Sequence, residues 1–358
     1  MRRLGLVVAL VLTIAPPLAK ADYDPLAAGT TRIVLDKGFL TLLKQNGVQL
    51  SAVAPARLAA GVVTFPIAAG KFDPVSGKGT IEHEGALLFQ AGTRRIPLKA
   101  LQLKTASKHA PFSVKAGGGQ LKLAAARSLA VSRLGFGDRV SVSALTLSAK
   151  IATRLGKKLQ LRGVFGAGQP LASSVTTVQP ETISVLGKGR AELTLDPGIL
   201  AKLRDLFVAV NPIFPAEHVG SAFQLPIFGG TIAPDASSGV LQTSGALELL
   251  QLGGGQVFWH EPWAELAAGA LSAEADAEPA PPYPGKLGRG SIAGLSLAGA
   301  TISASAQVRS ISVGGASLAL SPVAAATFNE VFAKPQGKEG IFIAGEALGT
   351  VSFTALGR

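Results

Sequence analysis

The chain contains no cysteine, a single methionine, two tryptophans and two tyrosines among 358 residues. Without cysteine there are no disulfide staples, no thiolate nucleophile and no cysteine-ligated metal, so the fold must be held by its core. Charge is also scarce. Only 16% of residues are charged, and acids number 22 against 34 bases, a formal net charge of +12. With 47% hydrophobic residues, so little charge excludes a disordered chain. Aromatics stand at 6%, and no basic segment is interleaved with them in a recognisable pattern, which argues against nucleic acid as a partner.

Long apolar runs are missing too, apart from Leu4 to Ala15. That run follows Arg2-Arg3 and precedes Pro16-Pro17 and Ala19-Lys20-Ala21. A positive start, a short apolar stretch and small residues at the cleavage subsites predict a signal peptide over residues 1–21. The run is too short to cross a bilayer comfortably, so no transmembrane segment is expected in the mature chain. The expected location is secreted, extracellular or in the cell envelope. Removing the peptide takes Arg2, Arg3 and Lys20 with it and leaves a formal charge of +9.

What the chain does have is a duplication. A shift of 160 residues lays LDKGFLTLLK, from Leu35, over LDPGILAKLR, from Leu195, and residues 65–89 over 225–249 without a gap. Pro66 then matches Pro226, Gly70 matches Gly230, Pro74 matches Pro234, and Gly85-Ala86-Leu87 matches Gly245-Ala246-Leu247. The ends correspond as well, with Leu147 over Leu320 and Phe165 over Phe342. The growing shift implies insertions in the second copy, the main one around Glu274 to Arg289. Two modules are therefore expected, at 30–178 and 188–357.

Each module begins with a short strand running into Asp36 or Asp196, residues suited to cap helices over Lys37 to Gln45 and from Pro197 onward. A hairpin follows, turned by Asp73-Pro74-Val75-Ser76-Gly77. Later strands alternate apolar and polar residues, as in Val140 to Leu147. Second helices fit Ser148 to Lys157 and Pro322 to Phe332. The predicted fold class is mainly β: two tandem antiparallel β-sandwich or open-barrel modules, each with one or two short helices.

The turn-and-core pattern of residues 65–89, with Phe165-Gly166-Ala167-Gly168 and Ile343-Ala344-Gly345-Glu346 near the module ends, resembles the HtaA-type domain. That resemblance implies a secreted or surface protein with tandem copies, and haem as the specific cofactor or ligand. In haem-binding members it implies an axial tyrosine in the first helical region, supported by a histidine. Here Lys37 to Gln45 and Pro197 to Val210 contain no tyrosine; Tyr23 and Tyr283 lie elsewhere.

Several residues merit attention for their chemistry. His83, between Glu82 and Glu84, faces the opposite side of its strand from both. It is either a histidine packed at the sheet surface or a ligand residue. Phe258, Trp259, His260 and Trp263 form the richest aromatic cluster, serving as core, as an aromatic edge or as a binding patch. His218 and Glu217 lack a third partner for a metal. Lys150, Arg154, Lys157, Lys158 and Arg162 form a basic stretch suited to an anionic wall polymer. No GxSxG, HExxH or phosphate-loop motif is present, and no enzyme is expected. The expected function is a non-enzymatic binding protein for haem or another hydrophobic or anionic ligand. The alternative is a structural or adhesive envelope protein without a small-molecule ligand.

Overall fold

The computed structural model describes residues 23–107, 111–116, 119–280 and 283–358; the expected signal peptide lies outside them. The first module runs β1 (Asp24–Leu35), α1 (Lys37–Gln45), β2 (Val48–Val53), β3 (Arg57–Ala59), β4 (Val62–Asp73), β5 (Lys78–His83), β6 (Ala86–Ala91), β7 (Arg94–Lys104), β8 (Phe112–Lys115), β9 (Gln120–Ala125), β10 (Ser128–Leu134), β11 (Gly137–Leu147), α2 (Ala149–Leu159) and β12 (Pro170–Pro180). The second repeats this order as β13 (Ile183–Leu195), α3 (Pro197–Asp205), β14 (Val208–Ile213), β15 (Glu217–Val219), β16 (Ala222–Ile232), β17 (Gly239–Thr243), β18 (Ala246–Gln251), β19 (Gln256–Glu265), β20 (Ala270–Ala280), β21 (Tyr283–Ser296), β22 (Thr301–Ser305), β23 (Ser310–Leu320), α4 (Pro322–Phe328) and β24 (Ala347–Gly357). A π-helical turn, Asn329–Ala333, extends α4.

Local chemistry accounts for the shared starts. Asp36 Oδ1 accepts from the Phe39 amide at 3.0 Å, and Asp196 Oδ1 from the Gly198 amide at 2.7 Å, so each caps a helix as soon as the first strand ends. Ser148 and Ser321 cap the closing helices in the same way. The matched glycines mark close backbone approaches. At Gly230, with φ +116°, a Cβ would lie 2.0 Å from the Val240 carbonyl oxygen, and at Gly70 it would lie 2.6 Å from that of Thr80.

In the first sheet the path β7-β5-β4-β1-β12-β11-β9-β8 is closed by pairing of β8 with β7; in the second, β19-β17-β16-β13-β24-β23-β21-β20 is closed by β20 with β19. Two closed antiparallel barrels result, where the sequence suggested a sandwich or an open barrel. Long strand β7 makes closure possible: its first half pairs with β6, its second half with β5, and β8 takes the opposite edge. Each barrel encloses its own core, one including Phe65, Phe72 and Phe112, the other Trp259, Phe328 and Phe332.

The insertion around Glu274 to Arg289 lies, over its described residues, in β20 and β21, which pair from Ala270↔Gly294 out to Ala280↔Tyr283. Because β21 meets β23 only over Ala293 to Ser296, the outer part of β21 is, among the described residues, paired on one side only, and Pro284 is accommodated there.

The barrels meet end to end through equivalent ends. Asp24 and Ser184, 160 residues apart and equivalent in the repeat, bond directly: Asp24 Oδ1 accepts from the Ser184 amide and hydroxyl, both at 2.9 Å. Phe136, in the β10–β11 turn, packs on the second core. Its counterpart Arg309 reaches back to Asp24 Oδ2 at 3.3 Å, with both side chains buried. Removing one partner of a buried pair leaves the other charge uncompensated. Arg309→Ala is therefore expected to cost about 3 kcal/mol at the joint. Scanning calorimetry should show a lower melting temperature and separate melting of the barrels; an unchanged profile would show that the pair does not couple them.

Candidate functional site

On the inner wall of the first barrel a polar chain runs from β7 through β5 and β1 to β12. His83 is buried, stands edge-on to Phe65 at 6.3 Å, and has Nδ1 3.0 Å from the Leu101 carbonyl oxygen. Burial holds its pKa down at about 4, so the ring is neutral at physiological pH. A carbonyl only accepts, so Nδ1 carries the proton, and Nε2 accepts from Thr31 Oγ1 at 2.6 Å. Thr31 Oγ1 in turn lies 2.7 Å from Thr176 Oγ1. His83 is thus a core histidine with both ring nitrogens engaged, not one at the sheet surface. Glu82 and Glu84 face away from it, as alternation predicts. In the second barrel Thr243 takes its place and donates to the Pro262 carbonyl, the counterpart of Leu101.

The aromatic cluster of β19 divides between two faces. Trp259 points inward and stacks on Phe328 at 5.5 Å. Phe258 and His260 stack on each other outside at 5.5 Å, with His260 Nε2 3.2 Å from Asp276 Oδ2. At Glu261, φ +45°, the register breaks and re-aims Trp263, whose ring lies 3.8 Å below the Arg289 guanidinium. These side chains do not form one patch, because alternation sends Trp259 to the core. In the basic stretch, Lys150, Lys157, Lys158 and Arg162 are exposed and Arg154 is half-buried. Lys157 and Lys158 occupy the last turn of α2, where cations complement the helix dipole.

Tyr23 is exposed at the start of β1, with Lys71 Nζ 5.1 Å above its ring. The twelve residues of β1 set it roughly 40 Å from α1. Tyr283 pairs with Ala280 at the far tip of β21.

One apolar concavity is not among the features that sequence reading singled out. Between α1, β2 and β3 lies an open groove of about 520 Å³, walled by Leu40, Leu43, Leu50 and Leu58 with Lys44 at its edge. Leu40, Leu43 and Lys44 share a helical face by their spacing of three and four, but Leu58 comes from a three-residue strand whose position only the β3–β4 pairing fixes. The second module replaces Leu58 with His218, which stacks on Phe223 at 4.7 Å, and Gly47 with Phe207, 67% exposed at φ +57°.

No protein-family profile matches the chain, and no curated protein matches it. Among solved structures the chain is similar to the crystal structure of the C-terminal domain of HtaA from Corynebacterium glutamicum. The match has 14% identity and a TM-score of 0.38, and covers 49% of this chain and 98% of that domain.

Two buried groups of the first module titrate in opposite senses. Burial raises the Asp138 carboxyl to about 6, against the neighbouring Arg133. Its carboxylate therefore costs stability that is lost as pH rises from about 4 to about 6. His83, lowered to about 4, costs stability as pH falls from about 6.5 to about 4. Urea unfolding across pH 4 to 8 should show Asp138→Asn stabilising by about 1–2 kcal/mol at pH 7.5 and not at pH 4. His83→Asn should flatten the acid limb. Parallel profiles for all three proteins would contradict both assignments.

Proposed function

We propose that the chain is an exported, non-enzymatic binding protein whose first module takes a flat apolar ligand carrying a carboxylate. The groove between α1 and the β2–β3 segment carries this reading: leucines on both walls exclude water from an apolar face, and Lys44 stands where an acid would emerge. Export is supported by the N-terminal Arg2-Arg3, apolar and Ala19-Lys20-Ala21 pattern. Among the described residues no helix is long and apolar enough to cross a membrane.

Haem is the ligand that the family resemblance brings forward, and its porphyrin and propionates suit such walls and such a cation. The groove does not fit iron ligation. Its lining offers no tyrosine, histidine or methionine to an axial position. Binding here rests on the macrocycle and its carboxylates rather than on the metal.

The two contributions are separable. Metal-free protoporphyrin and haemin should bind the full chain with similar affinity, read by fluorescence quenching and absorption. Leu40→Asp and Lys44→Glu should each weaken both by about tenfold, the loss expected for about 1.4 kcal/mol of contact. Binding of haemin alone, abolished by His218→Ala, would transfer the site to the second module and overturn the groove reading, as would binding of neither.

The exposed row Lys150, Lys157, Lys158 and Arg162 supports a second activity, retention on an anionic wall polymer. Such retention weakens as salt shortens the reach of surface charge.

A further inference from the structure

The repeat supplies an internal standard for the core, and one position departs from it sharply. Asp138, the second residue of β11, pairs with Val178; its counterpart Ile311, the second residue of β23, pairs with Ala355. Ile311 is fully buried, as a core position of this fold requires. Asp138 is 4% exposed at the same place. Its Oδ1 is buried without an aligned hydrogen-bond donor, the Arg133 guanidinium forming an ion pair with it at 3.5 Å. A buried carboxylate without aligned donors is costly where the fold accepts isoleucine.

Asp138 lines the floor of a cleft of about 390 Å³ in the first module, between the Asp73–Gly77 turn, the end of β7 and the β10–β11 hairpin. Val75, Leu129 and Val131 supply apolar walls, and Lys78 and Arg133 stand at the rim. Asp73 does not compete for a ligand, because its oxygens are held by the Val75 amide at 2.9 Å and the Ser76 hydroxyl at 2.6 Å. Arg133 acts on Asp138 as the larger, opposite charge and Asp24 and Asp73 as smaller like charges, so the cleft presents a carboxylate for a cation beside a guanidinium for an anion. Its rim favours an anion, and its walls an aliphatic group.

We propose that this cleft is a binding site for a free aliphatic α-amino acid, its ammonium on Asp138, its carboxylate toward Arg133 and Lys78, and its side chain against Val75, Leu129 and Val131. The site is separate from the leucine groove and lies at the end of the barrel that meets the second module, where the equivalent position is the buried Ile311. Asp138 supplies the acceptor that an ammonium needs, and the ligand supplies the donor that Asp138 lacks. The volume lies within the range of small-molecule pockets.

Titration calorimetry of the full chain at pH 7.5 tests this with three probes: L-leucine, isopentylamine, which lacks the carboxylate, and 4-methylpentanoate, which lacks the ammonium. L-leucine should bind, and the two truncated probes should bind at least about tenfold more weakly, the scale of one charge-assisted contact. Asp138→Asn should lose L-leucine binding while gaining stability, which separates loss of the site from loss of the fold. Arg133→Gln should weaken L-leucine but not isopentylamine, which gains from losing the cation that competes for Asp138. The proposal is overturned if L-leucine does not bind, if Asp138→Asn binds it as well as the parent chain, or if isopentylamine binds as tightly as L-leucine.

Discussion

Pairing of β7 with β8, and of β19 with β20, is the constraint on which the rest of the molecule depends. An open antiparallel sheet of this length would expose two edges and a long apolar face. Closure removes the edges of the main path and turns one face of every strand inward. The inward rows become the two separate cores, and the outward rows are left for solvent and ligands. The contacts of His83, Thr31 and Thr176 run between nearby strands of one wall, and closure is what turns that wall inward and buries them.

Closure also explains why the two modules can diverge without losing the fold. The shared residues, Asp36 and Asp196, Gly70 and Gly230, decide where strands end, cross or approach, and these are fixed by backbone geometry. Residues between them need only fill volume. The polar chain of His83 is thus matched by Thr243 on the equivalent carbonyl, and the short β8 and β9 are matched by the long β20 and β21. Differences at equivalent positions then carry information. Asp138 against Ile311 and Leu58 against His218 are places where one module departs from what packing alone favours.

The end-to-end joint follows from the same symmetry. Each barrel presents the end that holds the first residues of its first strand and the tip of one hairpin, so Asp24 finds Ser184, and Phe136 and Arg309 cross the boundary in opposite directions. One crossing is apolar and the other is a buried ion pair. The pair needs specific geometry to offset desolvation, which makes the joint selective in orientation rather than merely adhesive.

The sequence by itself determined the duplication, the strand-rich class, the helix starts at Asp36 and Asp196 and the turn after Asp73, because caps and turns are local chemistry. It also determined that His83 faces away from Glu82 and Glu84, since alternation is a property of any strand. Tertiary structure alone decided that the sheets close, that β20 and β21 take up the Pro-rich segment, and that Trp259 parts from Phe258 and His260. It alone brought Leu58 across to Leu40, and Asp138 to the floor of a cleft beside Lys78. Those outcomes depend on which distant strands pair and in what register. Register is set by the packing of a whole interior, not by the residues on either side of a given position.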